Sequence, residues 1–73
     1  SSGNTADVGE QGALNAALAH AGLSQSQVYE LEVKRDYDDG RLEYEVEFKS
    51  GPWEYEYVIL GADGSILKYE RDD

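Results

Sequence analysis

Five glutamates alternate with large apolar side chains in one stretch of this chain: Glu43, Glu45 and Glu47 with Tyr44, Val46 and Phe48, then Glu54 and Glu56 with Trp53, Tyr55 and Tyr57. Carboxylates are the groups from which hard-cation sites and acid–base pairs are built. Calcium gathers roughly six to eight oxygens, and glycoside hydrolysis uses two carboxyl groups in contrasting environments across a cleft. The spacing argues against both uses. Side chains two apart on a strand project in parallel and do not converge on one point. Asp36, Asp38, Asp39 and Asp63 fall in turns without the spacing of a calcium loop. His20 is the only histidine and there is no cysteine, which leaves no nucleophile–base pair and no thiolate site. No catalytic residue, metal or cofactor is expected, and the chain reads as non-enzymatic. The glutamates remain candidates for contact with a cationic protein, weighed against the plainer reading of a solvated face.

The elements that hold these residues must fit in 73 residues, and so in one domain. A chain of this size buries only about 60–65% of its unfolded surface, and no disulfide supplements that burial. Six Tyr, one Trp and one Phe must carry the core. The formal charge of −10, from 16 acids and 6 bases, lacks the basic footprint that nucleic acid or an anionic membrane requires. No apolar run is long enough to span a bilayer, so membrane insertion is not expected. Residues 1–6 read as a disordered linker or trimmed end of a longer precursor, and residues 7–73 as the domain.

Asp7 and Glu10 have capping-box spacing. Leu14, Ala17, Leu18 and Ala21 form a stripe, and Gly22 is a natural stop, so a helix is predicted over 8–21. Gly12 should weaken it by about 1 kcal/mol relative to Ala. His20 sits at its C-terminal end, where a cation favours the dipole. Ser24 and Gln27 repeat the capping spacing and predict one short turn. Strands are predicted at about 28–37, 41–49, 53–60 and 65–71. Asp39-Gly40 suits a type I′ hairpin, Ser50-Gly51 a second tight hairpin, and Ala62-Asp63-Gly64 a three-residue loop. Pro52 would then open the third strand, where its missing N–H matters least.

These loops set a register. Leu31 faces Phe48 and then Trp53; Val33 faces Val46 and Tyr55. Tyr37 faces Leu42, Ile59 and Leu67, and Tyr44 faces Tyr57 and Tyr69. All these rows fall on one face, which the helix covers. The expected fold is α+β: one N-terminal helix packed on a four-stranded antiparallel meander. Arg35 is the only charge pointing inward on the first strand, and there it discourages edge pairing. The outer face divides into an acid band (Glu32, Glu43, Glu45, Glu47, Glu54, Glu56 and Glu70, tempered by Lys34 and Lys49) and an apolar patch of Val58, Leu60 and Ile66. The register sets Glu47 against Glu54 and Glu45 against Glu56, which are like-charge pairs. The tyrosine rows read as core, with hydroxyls at the wet margin.

Several segments in order resemble the PepSY domain: the helix ending Ala17-Leu18-Ala19-His20-Ala21-Gly22-Leu23-Ser24, then Val28, Leu31 and Val33, then Asp39-Gly40-Arg41-Leu42-Glu43-Tyr44-Glu45-Val46-Glu47-Phe48, Trp53-Glu54-Tyr55-Glu56-Tyr57, and Asp63-Gly64-Ser65-Ile66-Leu67. The resemblance covers about residues 10–71. It implies a secreted or cell-envelope bacterial protein of a kind found in the propeptides of thermolysin-like metallopeptidases and as repeats in small secreted proteins, with peptidase inhibition or propeptide-like regulation as its role. It carries over no active-site residue.

The expected function is a non-enzymatic, extracytoplasmic binding or regulatory module. Its partner would be a protein, either a peptidase or a second copy of the domain. Contacts are expected through Val58, Leu60, Ile66, Glu43, Glu45, Glu47, Glu54 and Glu56. The alternative is a structural or protein-interaction domain of a larger cell-surface protein, without inhibitory activity.

Overall fold

The computed structural model describes residues 8–73; the expected linker at 1–6 and the Asp7 cap lie outside them. Helix α1 (Gly9–Ala21) is followed by a 3₁₀ turn (Gln25–Gln27) and strands β1 (Tyr29–Asp38), β2 (Arg41–Ser50), β3 (Trp53–Leu60) and β4 (Ile66–Asp72). The strands form one antiparallel sheet in the order β1-β2-β3-β4, with α1 packed on β1, β2 and β3. This is the expected α+β meander.

The core is the seam between helix and sheet. Ala13, Leu14, Ala17 and Leu18 bury against Tyr44, Val46 and Phe48 of β2 and Tyr55, Tyr57 and Ile59 of β3. Two fully buried alanines let the helix axis approach the sheet closely. Gly22 ends the helix in the left-handed conformation, with its N–H bonded to the carbonyls of Leu18 and Ala19. Ser24 N–H donates to Gln27 Oε1 at 2.8 Å, so the predicted short turn is present.

The first hairpin has the predicted register: Val33 faces Val46 and Tyr37 faces Leu42, around Asp39 (φ 58°) and Gly40 (φ 78°). Positive φ at both turn residues is the signature of type I′. At the far end of β1 a bulge between Tyr29 and Glu32 takes Leu31 out of the pairing expected with Phe48. Leu31 still packs against the core.

The second hairpin is displaced by two residues from the expected register. Its loop is Gly51-Pro52, with Ser50 opposite Trp53. Gly51 has φ 61°, and the Pro52 ring holds φ near about −65°. That positive-then-negative sequence fits a type II′ turn, in which the second central residue needs no N–H bond. A shift of two keeps every side chain on its face and changes its neighbours. Phe48 therefore meets Tyr55, Val46 meets Tyr57, and Tyr44 meets Ile59.

In the third hairpin Tyr57 faces Tyr69 as expected, but a bulge makes Ile59 pair with Ile66 in place of Leu67. Ile66 consequently packs against the core, which removes it from the outer apolar patch. The turn closes through Gly64 N–H to the Leu60 carbonyl and Leu60 N–H to the Ser65 carbonyl, both at 2.8 Å. Asp63 accepts the Ser65 N–H at 2.9 Å, and hydrogen bonding from the Ser65 side chain, then from its backbone, lowers the Asp63 carboxyl pKa.

Two glycines are places where no Cβ fits. A Cβ on Gly12 would lie 2.8 Å from the Val8 Cβ. The helical weakness expected there makes room for the residue that enters the helix. A Cβ on Gly61 would lie 2.8 and 2.9 Å from Leu42 side-chain carbons and 3.0 Å from its carbonyl oxygen. Gly61 is buried, donates to the Leu42 carbonyl and accepts the Val8 N–H, each at 2.8 Å. It joins the entry of the helix to the sheet.

Two stability predictions follow from this packing. Leu18→Ala should destabilise the fold by about 2–4 kcal/mol in urea titration; a loss below about half a kcal/mol would mean that the helix is not docked there. Gly61→Ala should lose about 1–3 kcal/mol by overpacking Leu42, and an unchanged urea midpoint would contradict the close approach.

Candidate functional site

The outer sheet face is built from the side chains that alternate with the core. Cross-strand registers place them in rows. Glu32, Glu47, Glu56 and Glu70 stand opposite one another in turn, one from each strand. This row of four carboxylates crosses the whole sheet. On one side lies the row Lys34, Glu45, Val58, Lys68; on the other lie Lys49, Glu54 and Asp72. Beyond the lysine-flanked row, Asp36, Glu43 and Leu60 are aligned.

The observed register corrects the expected charge pairs. Glu54 meets Lys49, and their charged groups lie 3.8 Å apart. Glu45 meets Val58, and the like-charge pair on β2 and β3 is Glu47 with Glu56. The six candidate residues Glu43, Glu45, Glu47, Glu56, Val58 and Leu60 therefore form one continuous surface, with Glu54 at its margin. Ile66 lies on the opposite side of the sheet. Glu32 and Glu70 complete the acid row. Their part in it was visible only as membership of an acid band, because the row depends on the exact inter-strand offset.

Basic groups are drawn to the edges of this surface. Lys49 Nζ lies 2.8 Å from Glu30, and that bond raises the lysine pKa. Arg41 bonds Glu43 through Nε at 3.1 Å and through a terminal nitrogen at 2.9 Å, both to one carboxylate oxygen. Lys34 lies 4.0 Å from Glu32. In the middle, Glu56 has its carboxyl pKa raised, first by loss of solvent and then by Glu47, Glu70 and Glu54, with Lys68 opposing. Among the described residues, no three His, Cys, Asp or Glu side chains are grouped to hold a metal ion.

His20 has a role that its position at the helix end did not reveal. Its Nδ1 lies 3.1 Å from the Tyr57 hydroxyl, and its ring packs 4.8 Å from that of Tyr69. Burial, followed by the neighbouring Tyr69 and Tyr55, pushes the Tyr57 hydroxyl pKa up to about 12. The hydroxyl is thus a hydrogen-bonding tip at the core margin and not a proton-transfer group near neutrality.

The profile of the family described as peptidase propeptide and YPEB domain, PepSY, matches residues 8–70. The chain belongs to the PepSY family. An uncharacterized protein of Streptococcus pyogenes serotype M6, Spy1430, is 34% identical over 59 residues, which are 81% of this chain and 45% of that protein. This PepSY chain therefore spans less than half the length of that relative. No solved structure matches it significantly. Among the described residues, no helix is long and apolar enough to cross a membrane.

The acid row has a thermodynamic signature. Because the Glu56 pKa is raised on folding, the folded state holds its proton more tightly. The resulting stability is present below the ordinary carboxylate range and is lost as pH rises through the raised value. Asp63 has the opposite sign, since its folded pKa is lowered. The comparison with Glu56→Gln isolates the row. That variant should melt higher than wild type at neutral pH, with the gap narrowing in mild acid and in moderate NaCl. An equal or lower melting temperature at neutral pH and low salt would show that Glu56 is not strained there.

Proposed function

We propose that this PepSY chain is a non-enzymatic, extracytoplasmic regulatory module that acts on a peptidase by occupying a surface, in the manner of a propeptide. One observation carries this reading. The sheet face opposite the helix combines half-buried Val58 and Leu60 with directly opposed Glu45 and Glu43 and an adjoining four-carboxylate row. Apolar side chains contribute desolvation to a contact, and the carboxylates steer and orient a basic partner. The family description names peptidase propeptides, which supports the choice of partner class.

A second reading has its own support. The chain spans 45% of its streptococcal relative, which fits a domain that serves as a structural or interaction unit of a larger surface protein without inhibiting anything.

Titrating a secreted metallopeptidase of the source organism with this chain separates the two. Regulation predicts saturable loss of peptide hydrolysis. Leu60→Asp should weaken the complex about tenfold or more, mainly through faster dissociation. The double variant Glu45→Lys with Glu56→Lys should slow association about tenfold and flatten its salt dependence. Binding without loss of activity favours the structural reading. Wild-type binding by both variants would exclude the outer face.

A further inference from the structure

Strand β4 is an open edge of the sheet, and its properties differ from those of the opposite edge. β1 is interrupted by the bulge near Tyr29, holds Glu30 at φ 54°, and carries the inward Arg35. Its charged residues are four acids and two bases. These are features that discourage a strand from pairing. β4 carries Lys68, Glu70, Arg71 and Asp72, two cations and two anions, in a chain of formal charge −10. On its helix-facing side Tyr69 remains 41% exposed, and Leu67, the extra residue of the bulge at the start of β4, is 43% exposed.

The backbone of β4 has donors and acceptors to offer. Gly61 N–H bonds the Leu42 carbonyl of β2, whereas Leu60 N–H points the other way, to Ser65. Alternation along β3 therefore turns the peptide groups of Tyr57 toward β2. Tyr57 is paired with Tyr69. That pair is consequently of the non-hydrogen-bonded kind, and the N–H and C=O of Tyr69 point outward from the sheet.

We propose that β4 is a self-pairing edge through which two copies of this chain join antiparallel, with Tyr69 on the two-fold axis. Charge selects this register. With Tyr69 opposite its own copy, Lys68 of each chain stands opposite Glu70 of the other, and Leu67 opposite Arg71. An axis at Lys68 or at Glu70 would oppose each of these to itself, and an axis at Arg71 would oppose Glu70 to Asp72. In the Tyr69 register the outward peptide groups of Tyr69 meet their counterparts. The half-exposed Tyr69 rings become cross-strand neighbours, and Lys68 of the second copy caps the acid row at Glu70. Arg71 already lies 4.4 Å over the Trp53 ring of its own chain, which leaves its stem beside Leu67 of the second copy. The pairing leaves the outer face open and does not depend on the proposed function.

Sedimentation velocity in moderate NaCl, over a wide range of chain concentration, tests the proposal. A weak, concentration-dependent dimer is expected, because one strand from each chain makes a small interface. Lys68→Glu alone and Glu70→Lys alone should each weaken it about tenfold, since two complementary pairs become repulsive. The double variant should restore it, because the pairs are again complementary. Both positions are exposed, and melting curves will confirm that the variants fold. Amide exchange at Tyr69 and Arg71 should slow as chain concentration rises. A monomer at every concentration overturns the proposal and leaves the edge to another protein or to solvent. So does a dimer that ignores the single variants, is not restored by the double variant, or protects the amides of β1 in place of those of β4.

Discussion

One helix has to cover four strands, and the rest of the structure depends on that mismatch of widths. A helix with its side chains is about 10–12 Å across, and strands lie about 4.8 Å apart. A single helix can therefore seal two strands and shade a third. The burial follows this geometry: every core residue of the sheet belongs to β2 or β3, and none to β1 or β4. Ala13 and Ala17 bring the helix as close as it can come, which thins the core and leaves aromatic rings to fill it. Tyr57 reaches across to the margin, where its hydroxyl meets His20 Nδ1. The outer strands, left without cover, differ in how they end the sheet. β1 is bulged and carries an inward charge, and β4 is regular from Lys68 onward and charge-balanced.

The acid face is the other side of the same constraint. A sheet covered on one side must be wettable on the other, and any polar residue would serve. This chain uses glutamate at successive outward positions on β2 and β3, and the register lines four of them up from edge to edge. Like charges opposite one another destabilise a sheet. Solubility alone asks only for a net charge, and scattering these carboxylates among the lysines would supply it with less repulsion. Their alignment is an arrangement that solvation does not require.

Much of this was legible in the sequence. Period-two alternation located the strands and assigned their faces, Asp39-Gly40 announced its turn, and Gly22 ended the helix. Neighbours were less legible than faces. Gly51-Pro52 and Ser50-Gly51 are both plausible two-residue loops, and they differ by an even shift that hydrophobic patterning cannot detect, because each residue keeps its side. The choice between them decides whether Glu54 meets a glutamate or Lys49. Bulges were hidden for a related reason. One extra residue at Leu67 turns Ile66 toward the core, against which it packs partly buried, although a regular strand would have turned it outward. Gly61 gave no local signal either, since its lack of a side chain answers to Leu42, distant in the chain. Which residues share the outer face was thus legible except for Ile66, while their arrangement into rows required the three-dimensional offsets.

The Val8–Gly61 hydrogen bond fixes where the chain enters the domain: beside the third turn, at one end of the sheet. β4 then runs to the other end, where Asp72 pairs with Glu54 next to the second hairpin. Entry and exit are separated along the strand direction. Tension applied between them in any longer polypeptide would pull β4 lengthwise past β3. Hydrogen bonds lying across the line of pull are then strained together and must fail together, in contrast to a hairpin peeled open one bond at a time. The load such a domain bears is then set by whichever yields first, the β3–β4 ladder or the docked helix and Val8–Gly61 bond through which the entering chain is held.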